Sequence, residues 1–448
     1  MSLRLLNALR TWGPVVAALW AHGAIAADTD APAAPVAAEK FAIHGEFSYV
    51  EQESSSFTAP YAGPNSLTPD QGRESIDANL ALGAALWPGA EFWVNPEGDE
   101  GFGLDNTLGV AGFPSGAAYK IGDNQPYFRV PRLFIRQTIN EAGGRETVQP
   151  AANVLGGERS VNRWVITVGK FSVTDIFDNN DYAHDPRNDF LNWAAIDSGA
   201  FDYAADAWGY TVGAAVEWYQ GPWTLRAGLV DLSNVPNSAH LESGFDEFQM
   251  LLEFEHRHEI AGHGGKVLIT GYESRGRMGL LDEAIALAQA TATPVDIASV
   301  RRYRGRFGAL VNFQQELTSD LGFFARYGKA AGNVEAYEFT DIDRALAAGL
   351  SLKGRLWRRG DDTVGLALMD NGASAEREQY LNDGGLGILV GDGRLPRPGA
   401  EEILETYYNA AVISHLQVSL DYQYIENPAF NRDRGPVSVF AVRVHAQF

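Results

Sequence analysis

The stretch RLFIRQTI, residues 132–139, decides the fold. Taken every second residue, it separates into two faces. Leu133, Ile135 and Ile139 fall on one side; Arg132, Phe134, Arg136 and Thr138 fall on the other. A period of two belongs to a β-strand with unlike faces. In a soluble sheet the apolar face packs on a core and the polar face meets bulk water. In a closed membrane barrel the pattern is turned inside out, with the apolar side in lipid and the arginines in a wet lumen. The rest of the chain has to choose between the two.

The same alternation recurs almost to the last residue. In YTVGAAVEWYQ the apolar face is Tyr210, Val212, Ala214, Val216 and Trp218, with Glu217 opposite. In EFQMLLEFEH, Phe248, Met250, Leu252 and Phe254 oppose Gln249, Glu253 and Glu255. HLQVSLDYQY and VSVFAVRVHAQF repeat it at the C-terminus. The pattern predicts sixteen strands, at 41–51, 75–87, 90–95, 130–141, 163–171, 208–220, 222–231, 246–258, 264–276, 299–316, 320–330, 343–354, 361–370, 402–414, 416–425 and 435–448. Their connectors alternate in length. Short ones fall at Trp87–Ala90, Gly221-Pro222, Gly262–Gly265, Ser319-Asp320, Arg358–Asp361 and near Ser414–Leu416; longer ones span 52–74, 96–129, 172–207, 277–298 and 371–401. Short periplasmic turns and long extracellular loops give outer-membrane barrels this rhythm. Segment 142–162 breaks it, being a long connector on the short-turn side. Aromatics gather at predicted strand ends, at Trp87, Trp218, Tyr219, Trp223, Tyr303, Tyr327, Trp357, Tyr407, Tyr408, Tyr422 and Tyr424, as expected of girdles at two lipid–water boundaries.

Composition agrees. The 448 residues include no Cys, which suits an oxidising cell envelope. The N-terminus carries Arg4 and Arg10, the apolar run WGPVVAALW, then Ala24-Ile25-Ala26. That is the layout of a secretory signal peptide at 1–26, cleaved on export. An Ala/Pro-rich periplasmic linker follows at 27–40, and residues 41–448 form one domain. Removing the leader takes away two arginines and no acid, so the formal charge of −22 becomes more negative. Such a chain is excluded as a nucleic-acid binder, because phosphate requires a basic surface. No segment after the leader has the roughly 18 consecutive apolar residues of a membrane helix. What remains is a soluble envelope protein or a β-barrel, and connector rhythm and aromatic placement favour an all-β, transmembrane antiparallel barrel of about sixteen strands, its long loops carrying short helical inserts.

Residues that could do chemistry fall on the polar faces and in one loop. Arg132, Arg136 and Lys170 would line a lumen, opposed by carboxylates such as Glu217, Glu253 and Glu255, with Arg226 among them. Arginine suits such a wall, since its planar fork donates to two acceptors at once. The competing reading is that these charges only neutralise one another. Loop 172–207 is predicted to fold inward. There Trp193 and Trp208 could stack on a ligand and Asn192 and Arg187 could supply polar contacts, or Trp193 could pack with Phe190, Leu191 and Phe201. DIFDNNDYAHD, with Asp175, Asp178 and Asp181, could hold Ca²⁺ through clustered oxygens, although it lacks the EF-hand glycine and the twelfth-position Glu. Otherwise no cofactor is expected. GLLDEAIALAQAT at 279–291 reads as an amphipathic helix packed on or in the barrel mouth, with Leu280, Leu281, Ala284, Ile285 and Ala288 on one side. No G-x-S-x-G, H-E-x-x-H or phosphate-binding loop appears, so an enzyme is not expected.

Beyond these patterns, the sequence resembles the carbohydrate-selective outer-membrane porins of Gram-negative bacteria (the glucose-porin type). The resemblance is carried by PRLFIRQTI at 131–139, by the long run from Val168 to Tyr219, and by LRAGLVDLSNVPN at 225–237. It continues in GGLGILVGDG at 384–393, YYNAAV and the C-terminal DYQYIENPAFNRDRGPVSVFAVRVHAQF at 421–448. It implies sixteen-stranded barrels, monomeric or homotrimeric, that pass small sugars by diffusion through the outer membrane. The alternatives are a barrel of another role, such as a general porin, an adhesin or a barrel enzyme.

Overall fold

A computed structural model describes residues 38–448. The leader and nearly all of the linker lie outside the described residues. Sixteen strands close into one antiparallel barrel. They are β1 (Phe41–Ser54), β2 (Gly72–Trp87), β3 (Ala90–Gly101), β4 (Asp123–Asn140), β5 (Arg163–Phe171), β6 (Thr211–Gln220), β7 (Trp223–Asp231) and β8 (Phe248–Ile260). Then follow β9 (His263–Met278), β10 (Arg302–Thr318), β11 (Leu321–Ala330), β12 (Arg344–Gly354), β13 (Arg359–Gly372), β14 (Glu401–Ile413), β15 (Leu416–Glu426) and β16 (Val437–Gln447). Each pairs with its sequence neighbour, and β16 closes on β1 from Glu46↔Gln447 to Ser54↔Val439. Closure pairs the strands on both sides through the middle of the wall, where a hydrocarbon layer offers their backbone groups no other partner.

The two faces of β4 are assigned by exposure. Leu133 and Ile135 are 45 % and 40 % exposed, whereas Phe134 is 3 % exposed inside the barrel. The outward set continues around the wall through Val168, Leu229, Met250, Leu252, Ile269, Val311, Leu346, Leu368, Leu420 and Val442. An apolar surface this continuous has no place in water. Trp87, Trp164, Trp218 and Trp223 ring the short-turn end, with Trp164 stacked on Trp218. Tyr303 and Tyr327 stand outward toward the other end. Three expected outward aromatics point inward instead. Tyr219 hydrogen-bonds Glu217 within the lumen, Tyr407 is buried against Phe190, and Tyr210 precedes β6 and turns into the barrel. Tyr219 and Tyr407 share the inward parity of Glu217 and Glu405, and only Tyr210, where the loop meets β6, departs from its strand's alternation.

The turns are as short as the rhythm predicts. At Pro88-Gly89 the glycine has φ +78°, and a Cβ there would lie 2.2 Å from the Thr138 carbonyl, so only Gly fits. Strands β3 and β4 are longer than the alternation indicates, because β4 carries a bulge. Asn95 pairs with Arg132 but Glu97 pairs with Arg129, so three steps on β4 oppose two on β3. Pro131, without an N–H, sits in the bulge. Segment 142–162 is a hairpin of Arg145–Val148 against Gly157–Ser160, outside the barrel sheet.

The long loops fill the upper lumen. Helix Leu281–Thr291 buries Leu281, Ala284 and Ala288, as its pattern predicts, and Glu283 on its outer side pairs with Arg302 and Arg304. The inner core runs through Phe113, Tyr119, Phe190, Trp193, Phe201, Tyr203, Tyr337 and Phe339. The barrel is thus a wall around a packed plug of its own loops, with cavities left within it.

Candidate functional site: a charged eyelet between strand wall and infolded loop

Loop 172–207 crosses the lumen and is fastened to the wall at nearly every step. Arg132 on β4 grips Asp175 bidentately at 2.8 and 2.7 Å. Glu253 on β8 accepts from the Asp178 amide at 2.8 Å, and Asn312 on β10 donates to the Asp178 carboxylate at 2.8 Å. Lys266 and Gln314 hold Asp181. Arg443 on β16 donates to the carbonyls of Pro186, Asn188 and Asp189. Glu405 on β14 takes the amides of Leu191 and Asn192, and Arg326 on β11 donates to Ala195. Irregular backbone inside a barrel leaves polar groups that must find partners. The inward-facing charges of the strands supply them.

Between this loop and the wall of β1–β5 lies a cavity of about 310 Å³. Its wall carries Glu46, Asp77 and Glu97 from β1, β2 and β3 beside Arg129, Arg132 and Arg136 from the adjoining β4, with Lys120 from helix Gly116–Ile121. Arg187, on the loop, bridges the space to Asp77 at 2.8 Å, with Glu46 at 3.7 Å and Glu97 at 3.8 Å. Arg129 pairs with Glu97 at 2.7 Å and with Asp99 at 2.6 Å. Tyr210 offers its ring to three cations, with Arg129, Arg132 and Lys120 at 5.1, 5.2 and 5.5 Å from its centre. Burial alone would raise the Asp175 carboxyl, but the Arg132 guanidinium outweighs it and holds the group down at about 2. Burial lowers Lys120, against the pull of Asp197 and Asp175.

The expected site residues divide. Arg132, Arg136 and Arg187 come together in this cavity. Arg136 donates to the Asn153 carbonyl at 2.7 Å and stands 3.9 Å from Glu91. Glu217 and Arg226 lie lower, in a wider cavity of about 960 Å³ toward the short-turn end. There Arg226 is held by Glu217 at 2.9 Å, Glu253 at 2.8 Å and Glu255 at 2.9 Å. Lys170 requires a correction: its register partners Leu133 and Val212 face outward, so it leaves the lumen and meets Asp206 at 3.4 Å. Asn192 is corrected too, and Trp193 takes the packing alternative. Trp193 is 2 % exposed, stacked on Phe113 at 5.2 Å and edge-on to Phe339, while also lining the cavity. Asn192 caps helix Trp193–Ile196 and donates to Gly112 and Gln423, which consumes its amide. Trp208 packs beside Gly122 and Tyr127, away from the eyelet. Asp175, Asp178 and Asp181 do not converge on a Ca²⁺ position. Each is taken by a different cation or amide, and among the described residues no three His, Cys, Asp or Glu side chains assemble a metal site.

Alternation missed Arg129, Lys120, Tyr210, Asp77 and Glu97. Arg129 was hidden by the bulge, which shifts its phase against Arg132; Pro131 was the available signal. Asp77 and Glu97 sit on the polar faces of β2 and β3, but nothing local distinguishes them from other wall acids.

The family model for the carbohydrate-selective porin, OprB family, matches residues 65–448. The chain belongs to this family. It is an outer-membrane carbohydrate porin, with the closed sixteen-stranded barrel that such a function uses. Among solved structures it is similar to Pseudomonas putida OprB at high pH, with 14 % identity, a TM-score of 0.69, and 91 % of this chain covering 94 % of that one. It also aligns with the outer-membrane channel DcaP of Acinetobacter baumannii, at 9 % identity and a TM-score of 0.49, over 92 % of this chain and all of that one. No curated protein sequence matches significantly.

Proposed function

We propose that this porin passes small neutral sugars by diffusion through the eyelet between β4 and loop 172–207, and that it acts as a channel without chemistry of its own. The observation that carries this reading is the arginine row of β4 set beside Glu46, Asp77 and Glu97 in the wall of one cavity. Such a wall carries both signs, so it offers donors and acceptors to hydroxyls without gathering net charge that would select ions. Weak contacts at several points replace part of the sugar's water shell and release it again. Tyr210 and Phe134 give its C–H faces something apolar to slide along. The chain is exported with its leader removed after Ala26, and works as a monomer or homotrimer.

Liposome swelling with a graded sugar series tests this. Swelling should be rapid with monosaccharides and slow with longer oligosaccharides. Equal rates for all sizes would remove the eyelet from the account.

A further inference from the structure

The insert 142–162 does more than join two strands. Its tip is a tight turn closed by reciprocal amide–carbonyl bonds between Ala151 and Val154, at 3.1 and 3.0 Å. Asn153 at the tip has φ +63°. The tip is stapled into the short-turn end of the lumen. Arg136 donates to the Asn153 carbonyl, Leu155 N–H donates to Glu91 at 3.3 Å, and Gly156 exchanges bonds with Glu39 at 2.8 and 3.0 Å. Leu155 is buried among Ala42, Ala81, Trp93 and Phe134, all on the inner face of the wall.

This position makes the tip a partition. Ala152, Asn153 and Val154 line the eyelet cavity, and Val154 and Leu155 line the wider cavity below it. Arg136 borders both. Among the described residues, the buried Asn153 Oδ1 on the tip and Thr167 Oγ1 on β5 have no hydrogen-bond partner. Thr167 is the register partner of Arg136, and both Asn153 and Thr167 line the eyelet cavity. A buried polar atom left unpaired is costly, and native structures seldom keep one without use. One of these atoms is an amide acceptor and the other a hydroxyl that donates or accepts. Neither carries charge, and the neighbouring Arg136 already has Glu91 nearby.

We propose that the tip of the insert, Ala152–Leu155, builds a second sugar subsite at the periplasmic exit of the eyelet, where Asn153 Oδ1 and Thr167 Oγ1 bind hydroxyls of a neutral monosaccharide. The inference rests on the porin reading above. A permeant leaving the β4 arginines is handed to this pair before it reaches the wider cavity. The insert thereby sets the release step on the periplasmic side, and a short turn in its place would leave the eyelet open directly to that cavity.

The test is single-channel recording with D-glucose added to one side at a time, for the full-length protein and the variants Asn153→Gly and Thr167→Val. Glycine tolerates the positive φ, and valine keeps the shape of threonine. Heat-modifiable migration on gels confirms that each barrel is folded. The subsite predicts that glucose block of the wild-type channel weakens about fivefold in each variant when sugar is added from the periplasmic side, the loss expected for one hydrogen bond. The association rate from the extracellular side should stay as in the wild type. Folded variants that block like the wild type from both sides would overturn the subsite and leave the porin reading intact. A wild-type channel that glucose never blocks would overturn both. If Asn153→Gly does not fold, Thr167→Val alone decides.

Discussion

Arg132 does two jobs that pull in different directions. Its guanidinium is committed to Asp175 in a bidentate pair, yet its flat face lies over Tyr210 on the cavity. Removing it frees the first fastening of loop 172–207 and takes one cation from the eyelet. Arg132→Ala is therefore expected to raise conductance and weaken sugar block about tenfold, while Lys170→Ala, on the outer face, should change block less than twofold; planar-bilayer recordings compare them directly. The pair also sets an acid limit. Asp175 is depressed to about 2 from a reference of 3.8, so its contribution is present in full above the reference value and is lost as pH falls from about 4 through about 2. Block by sugar should accordingly hold between pH 7 and 5 as far as this pair is concerned. It should fail only toward pH 2 to 3, and Asp175→Asn should show at neutral pH what the wild type shows in acid. A wild-type eyelet that loosened between pH 7 and 5 would require another titrating anchor.

The strands were legible one by one, and their alternation located all sixteen. Two features hid the rest. The bulge at Pro131 put Arg129 and Arg132 on the same side although they are three residues apart, so a strict period of two could not place both. Loop 172–207 is held by residues up to hundreds of positions away, such as Arg443 to Asn188 and Glu405 to Leu191, and no local pattern announces such partners. The same distance hid the role of Trp193, whose stacking partner Phe113 belongs to another loop. Arg443 gives the sharpest test of the loop as an element. Arg443→Ala leaves the half-buried carbonyls of Pro186 and Asp189 without their arginine donor and Asn188 with only Asn409, each loss costing up to about 1–3 kcal/mol. The barrel ladder does not depend on it, so migration on gels should stay heat-modifiable. Open-channel noise should rise, and proteases should cut within 182–190. A quiet channel that resists protease would show that the remaining anchors suffice.

At the scale of the whole molecule, an acidic chain has enclosed a lumen of mixed charge. The formal charge of −22 belongs to the whole sequence, while the eyelet wall carries arginines and carboxylates side by side. Selectivity is then local, and reversal potentials in a salt gradient should show weak ion preference rather than the strong cation preference that the net charge alone would give. The central claim is that β4 and the infolded loop together make a sugar-sensing constriction. The most direct measurement is single-channel conductance titrated with mono- and disaccharides, for the wild type and for Arg132→Ala combined with Arg136→Ala. The account predicts saturable block of the wild-type current, and in a folded double variant a larger conductance with block lost. A wild-type protein that forms no channels, or a folded double variant with wild-type conductance and block, would contradict it.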